Sequence, residues 1–224
     1  MASKNKAVAT PVQELTADKI TALYLQYCLE NGKRPESVYL FSKINGFAEK
    51  DFYQYFASLE AIEKQVFVSF HNMAAGLITQ SEEAAAGGFR ENLLTYYYTF
   101  FEILAANRSY VVFALKGEKN RLDSLLKLKE LRNYFKWFIG SISAGYLKSQ
   151  NERLRNAQLE ALKEGAWIQL LVTLKFWLDD ESAGFEKTDL FIEKSIRATF
   201  DLFEVTPLES VIDFGKFIFK ESMR

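Results

Sequence analysis

Apolar residues recur at three- and four-residue spacing along almost the whole chain. In the first segment they fall at Ile20, Leu23, Tyr24, Tyr27 and Cys28, which is one face of a helix. Asp18 suits the electropositive first turn, and Gly32 can take the left-handed position past the last one. A short helix follows from Ser37, a good N-cap, to about Ile44. Asn45-Gly46 then signals a turn. A second short helix is predicted over 48–55, and Ser58 caps a longer one over 58–80. The stretch 84–88 breaks the pattern. Further helices are predicted over 89–106, 109–115, 122–148, 153–179, 188–204 and 207–222, with Thr188 as an N-cap and Pro207 at a first helical position. No stretch alternates with period two between turn residues, so strands are not expected, and no fixed-period repeat is visible. The expectation is an all-α chain. A small head of short helices (1–56) precedes a larger helical body (57–224), and the helix over 58–80 links them.

Composition narrows the chemistry. Among 224 residues, 28 basic face 29 acidic side chains, so no overall charge draws the chain to nucleic acid or membrane. One Cys excludes an internal disulfide. One His excludes multi-histidine metal sites. The longest apolar stretch, 167–178, carries Gln169 and Lys175 and is too short to span a bilayer. The N-terminus lacks a signal-type apolar run. A cytoplasmic protein without stable membrane insertion is the expectation. There is no nucleophile elbow, phosphate loop, zinc-type His-Glu-x-x-His or Cys pair, so neither an enzyme nor a cofactor is expected. Asp179-Asp180-Glu181 reads as a solvated helix end, because adjacent carboxylates alone do not enclose a cation.

The head has the arrangement of a helix-turn-helix, two short helices about a turn with Gly. Its residues are Glu30-Asn31-Gly32, Ser37-Val38, Phe41, Gly46-Phe47, Phe52-Tyr53-Gln54-Tyr55-Phe56 and Ser58-Leu59-Glu60-Ala61. This pattern resembles the N-terminal domain of TetR-family transcriptional regulators. The resemblance implies a core of Phe41, Phe47, Phe52 and Phe56, with the helix over 48–55 as the recognition helix. Double-stranded DNA would be met by Ser37, Tyr39, Lys50, Asp51, Tyr53, Gln54, Tyr55 and Lys64, and Lys4 and Lys6 could form an arm. Where the family has Ser-Lys-Gly-Thr, this chain has Ala48-Glu49-Lys50-Asp51, and Leu59 replaces a basic residue. Residues 1–64 hold eight basic against eight acidic side chains. DNA-binding modules are usually basic, so a head kept only as a fold stands beside a DNA reader.

The body concentrates the aromatics, within a total of 20 Phe, 11 Tyr and 3 Trp. Tyr96-Tyr97-Tyr98-Thr99-Phe100-Phe101 surrounds one helix with rings, which implies neighbours or a ligand on all sides. By the TetR resemblance the body encloses an apolar effector site and makes a homodimer. Candidate ligand contacts are Phe67, His71, Tyr97, Phe101, Tyr110, Phe113, Arg132 and Phe135, each of which core packing would also explain. Thr173 to Ser182, Gly184 to Asp189 and Phe191 to Ile196 resemble the C-terminal domain of one TetR subgroup. They are also similar to the TetR-like lipid-binding accessory proteins of ubiquinone biosynthesis. The implied dimer interface is Leu170, Leu174, Trp177, Phe191, Ile196, Phe200 and Phe203, with internal packing as the alternative. Two functions follow: a DNA-binding regulator responsive to an apolar or aromatic effector, or a lipid- or isoprenoid-binding accessory protein whose head does not bind DNA.

Overall fold

The computed structural model describes residues 15–79, 87–116, 126–147 and 151–205, without the side chains of 202–205. The predicted helix over 207–222, the start of that over 122–148, the Lys4 and Lys6 arm and the Phe203 side chain lie outside the described residues. The described elements are helices: α1 Ala17–Asn31, α2 Val38–Ile44, α3 Glu49–Phe52, α4 Leu59–Thr79, α5 Phe89–Ala106, α6 Arg108–Lys116, α7 Lys129–Ile142, α8 Glu152–Asp179 and α9 Glu186–Val205. They form two compact units, 1–63 and 64–224.

In the first unit Thr16 caps α1 by accepting from Lys19 N, and Gly32 ends it at φ 62°. Ser37 caps α2 by accepting from Leu40 N. Phe41 sits at the centre, edge-on to Tyr24, Phe47 and Phe52 at 6.1, 5.8 and 6.2 Å. Gly46, at φ 75°, makes the turn into α3. Helix α3, the predicted recognition helix, is shorter than expected, four residues in place of 48–55. Ala48 offers its first turn no side-chain acceptor. After Phe52 the chain leaves the helix through a turn in which the Phe52 carbonyl accepts from both Tyr55 N and Phe56 N at 3.0 Å, and Phe56 is buried in the core. A buried carboxylate, Glu63, accepts from the Tyr24 hydroxyl at 2.5 Å and pairs with Arg34 at 2.7 Å. Charge neutralisation and hydrogen bonding together make its burial tolerable.

In the second unit each helix buries one stripe. Helix α5 buries Phe89, Leu93, Tyr96, Tyr97, Phe100, Phe101 and Leu104. Helix α7 buries Leu131, Phe135, Phe138 and Ile139, and α9 buries Ile192, Ile196 and Phe200, the i, i+4 and i, i+7 spacings of an amphipathic helix. Helix α7 packs on α8 and α5, while α9 packs on α5 and α8.

The α8–α9 turn is held by two polar groups. Asp180 Oδ1 accepts from Ser182 N and Oγ at 2.8 and 2.6 Å, and its Oδ2 accepts from Thr188 N and Oγ1 at 2.9 and 2.6 Å. Burial pushes this carboxyl's pKa up, but the four bonds outweigh it and bring it down to about 2. Thr188 is therefore not the N-cap the sequence suggests: α9 begins at Glu186, and Asp180 serves as the acceptor for its first turn. Arg108 completes the corner. Its guanidinium lies against both the Trp177 and Phe185 rings, 4.5 Å from each, while the two rings touch one another at 5.7 Å, and it donates to the carbonyls of Trp177, Leu178 and Asp180.

Candidate functional site

Two surfaces merit separate description, one in each unit. On the first, Tyr39, Lys43, Lys50, Tyr53 and Gln54 are exposed while the phenylalanines of α2 and α3 point inward. Lys43 Nζ stands 5.9 Å from the centre of the Tyr39 ring, one helical turn along α2. The two acids of α3 have neutral partners: Glu49 accepts from the Tyr53 hydroxyl at 3.2 Å, and Asp51 accepts from Gln54 at 3.4 Å. The remaining sequence candidates are differently engaged. The Ser37 hydroxyl is the α2 cap, the Tyr55 hydroxyl donates to the Leu15 carbonyl, and Lys64 is half-buried on α4. Lys43 is absent from the sequence-derived set. Its i, i+4 relation to Tyr39 is the signal that could have found it.

The second surface is a groove between α4 and α7, open to solvent, with a volume of about 740 Å³. His71, Ala75 and Thr79 form one row of its α4 wall, and Asn72 and Gly76 the next. These are i, i+4 spacings, and small Ala75 and Gly76 at mid-wall leave room between the helices. Asn133, Tyr134, Trp137 and Phe138 form the α7 wall. Trp137 is 73% exposed, whereas Trp167 and Trp177 are buried. No charged side chain lines the groove among the described residues.

His71 is 3% exposed and ringed by aromatics: Tyr96, Phe138, Phe135 and Tyr134 at centroid distances of 5.5, 5.8, 6.4 and 6.5 Å. Burial lowers its pKa to about 4, so the imidazole is neutral at pH 7. Its Nδ1 lies 2.8 Å from the Tyr96 hydroxyl. The hydrogen-bond inventory assigns the tautomer. Tyr96 is fully buried and has no other acceptor among the described residues, so its O–H must donate to Nδ1 or be wasted. Nδ1 is then the acceptor, and Nε2 carries the proton. His71 lines the groove, and its second ring nitrogen, Nε2, is therefore an N–H donor with no protein partner among the described residues.

The other sequence-derived ligand residues do not join it. Phe67, Tyr97, Phe101, Tyr110 and Phe135 are buried and packed ring against ring, as in Tyr97–Phe101 at 6.2 Å and Phe67–Tyr110 at 6.5 Å, and Phe113 is half-buried beside Tyr110. Close packing leaves them as core. Arg132 is exposed and pairs with Glu164 at 2.8 Å, a surface link from α7 to α8. Of the interface candidates, Leu170, Leu174, Trp177, Ile196 and Phe200 are buried within their own chain. Phe191 is half-buried and stacks on Phe176 at 4.7 Å. The exposed apolar residues of the pair are Ile168, Val172, Phe176 and Leu190, which sequence reasoning missed because both faces of α8 are apolar.

A family described as tetracyclin repressor-like, C-terminal domain matches residues 92–218. The chain belongs to the TetR-like family of transcriptional regulators. Among solved structures, the fatty acid degradation regulator FadR from Bacillus halodurans is 22% identical, with a TM-score of 0.43. The match covers 79% of this chain and 93% of that one. The probable transcriptional regulatory protein RHA5900 is 17% identical, with a TM-score of 0.39, over 86% of this chain and all of that one. No curated protein sequence matches the chain. Among the described residues of this TetR-like chain, no helix is long and apolar enough to cross a membrane.

Proposed function

We propose that this protein is a cytoplasmic, homodimeric DNA-binding regulator in which residues 1–56 read DNA and residues 57–224 bind the effector and dimerise. The observation that carries the reading is the outward row of Tyr39, Lys43, Lys50, Tyr53 and Gln54 over a buried Phe41 core. Such a row supplies phosphate cations and base-edge donors on a helix-turn-helix. The dimer surface is the exposed strip Ile168, Val172, Phe176 and Leu190. The effector site is the α4–α7 groove. Helix α4 carries one wall of that groove and begins in the first unit, so a ligand that prefers one placement of α4 shifts the population that fits DNA.

Mobility-shift titration against the DNA upstream of the protein's own gene tests this at low salt, where phosphate attraction is strongest. A shift that weakens in Lys43→Ala and Lys50→Ala supports the reading. No shift at low salt overturns it in favour of the accessory-protein function, which Glu49 and Asp51 on the recognition helix favour.

A further inference from the structure

The groove's lining states what it will accept. Its walls combine one buried donor, a broad exposed indole and amide groups, and they contain no ionised side chain among the described residues. An ionised ligand seated in it would give up part of its water without gaining a counter-charge. A purely aliphatic ligand would leave the His71 N–H facing hydrocarbon, with its bond to water lost. A flat ring meets neither objection. It stacks on Trp137 and Tyr134, and an acceptor at its edge receives the imidazole proton.

We infer that the groove binds an uncharged, planar aromatic molecule whose carbonyl or ether oxygen accepts a hydrogen bond from His71 Nε2–H while its ring lies on Trp137. This rests on the groove being the effector site and adds the ligand's chemical class. Tyr96 takes part as a positioning residue. By donating to Nδ1 it keeps the proton on Nε2. Asn72 and Asn133, on opposite walls, give the ligand rim a choice of donor and acceptor. A two-ring molecule fits well within a groove of about 740 Å³.

Isothermal titration calorimetry of the full chain at pH 7.5 with two matched probes tests the inference. Naphthalene-2-carboxamide is neutral and offers a carbonyl; 2-naphthoate has the same rings and a negative charge. The carboxamide is expected to bind at least about tenfold more tightly. Trp137→Ala, at an exposed position, should weaken it about tenfold, and His71→Phe should do the same, since each removes one of the two contacts. His71→Gln places an amide N–H near the Nε2 position and should restore part of the loss, a rescue that a merely structural role for His71 would not produce. Naphthoate binding as tightly as the carboxamide, with both sensitive to Trp137→Ala, overturns the ligand class and leaves the groove as effector site. Neither probe binding in a Trp137-dependent way overturns both. Should His71→Phe not fold, the carboxamide-to-naphthoate ratio and Trp137→Ala still decide.

Discussion

Two places in the body surround a polar side chain with aromatic rings, and they differ in what is left over. At the α8–α9 corner, Arg108 lies against Trp177 and Phe185 and gives its protons to three carbonyls, while Asp180 takes four hydrogen bonds. At the α4–α7 groove, His71 sits among four rings with one nitrogen engaged by Tyr96 and the other without a protein partner among the described residues, in a residue that lines an open groove. In the first cluster Arg108 and Asp180 spend their hydrogen bonds within the chain and hold helices together, while the buried Trp177 Nε1 beside them has no partner among the described residues. The second is half-closed, and its remaining donor is available to a ligand. Aromatic enrichment alone therefore does not mark a binding site in this chain. The state of the enclosed polar atom does.

The largest effect belongs to the closed corner. Asp180→Ala strands the donors of Ser182 and Thr188 and should cost about 3–4 kcal/mol in urea unfolding. A loss under 1 kcal/mol would mean the turn stands without its acceptor.

Acid separates the two places next. The folded pKa of His71, about 4, lies below the ordinary 6.5, so the unfolded chain binds more protons between those values and stability rises with pH across that window. Full stability is present above about pH 6.5, and about 3 kcal/mol is lost by pH 4. Asp180 behaves oppositely in position: its contribution is present above its ordinary value of 3.8 and goes only as pH falls towards 2. Urea midpoints at pH 7 and pH 4.5 should therefore differ by much more in the unaltered chain than in His71→Phe. Equal slopes would remove the buried neutral imidazole from the account.

Arg108→Lys keeps the charge but loses the flat stack and the fork to three carbonyls, and should cost about 2 kcal/mol. An unchanged melting midpoint would show that a point charge suffices there. The smallest effect is at the groove wall. Trp137→Ala, at 73% exposure, should change stability by no more than about 0.5 kcal/mol. A large loss would make Trp137 part of the closed packing and not an open wall.

Much of this was legible in the chain itself. The helix-turn-helix showed because turn glycines and phenylalanines are local marks: Gly32, Gly46, Phe41 and Phe52 stand where their spacing demands. His71 was legible as the lone histidine on a largely apolar helix, but its partner Tyr96 is 25 residues away, and only packing brings them together. The groove itself was not legible. It depends on small Ala75 and Gly76 facing Trp137 on another helix, a tertiary relation with no periodic signature. The same limit misassigned α8. With Leu170, Leu174 and Trp177 on one side and Ile168, Val172 and Phe176 on another, periodicity could not say which face turns inward. Arg108 and Trp177 are likewise joined across 69 residues. The predicted helix over 48–55 stops at Phe52, where one carbonyl serves both Tyr55 N and Phe56 N, a local turn that apolar spacing does not reveal.

Because the chain has one histidine, its imidazole nitrogens can be observed without assignment ambiguity. A long-range ¹H–¹⁵N spectrum of the untagged, ¹⁵N-labelled protein, recorded from pH 8 to 5.5, tests the central claim that His71 offers a fixed Nε2–H donor to the groove. The account predicts a single neutral tautomer protonated at Nε2, unchanged over that range, with the Nε2 signal moving when naphthalene-2-carboxamide is added. A proton on Nδ1, or an imidazole that titrates near pH 6.5, would contradict it.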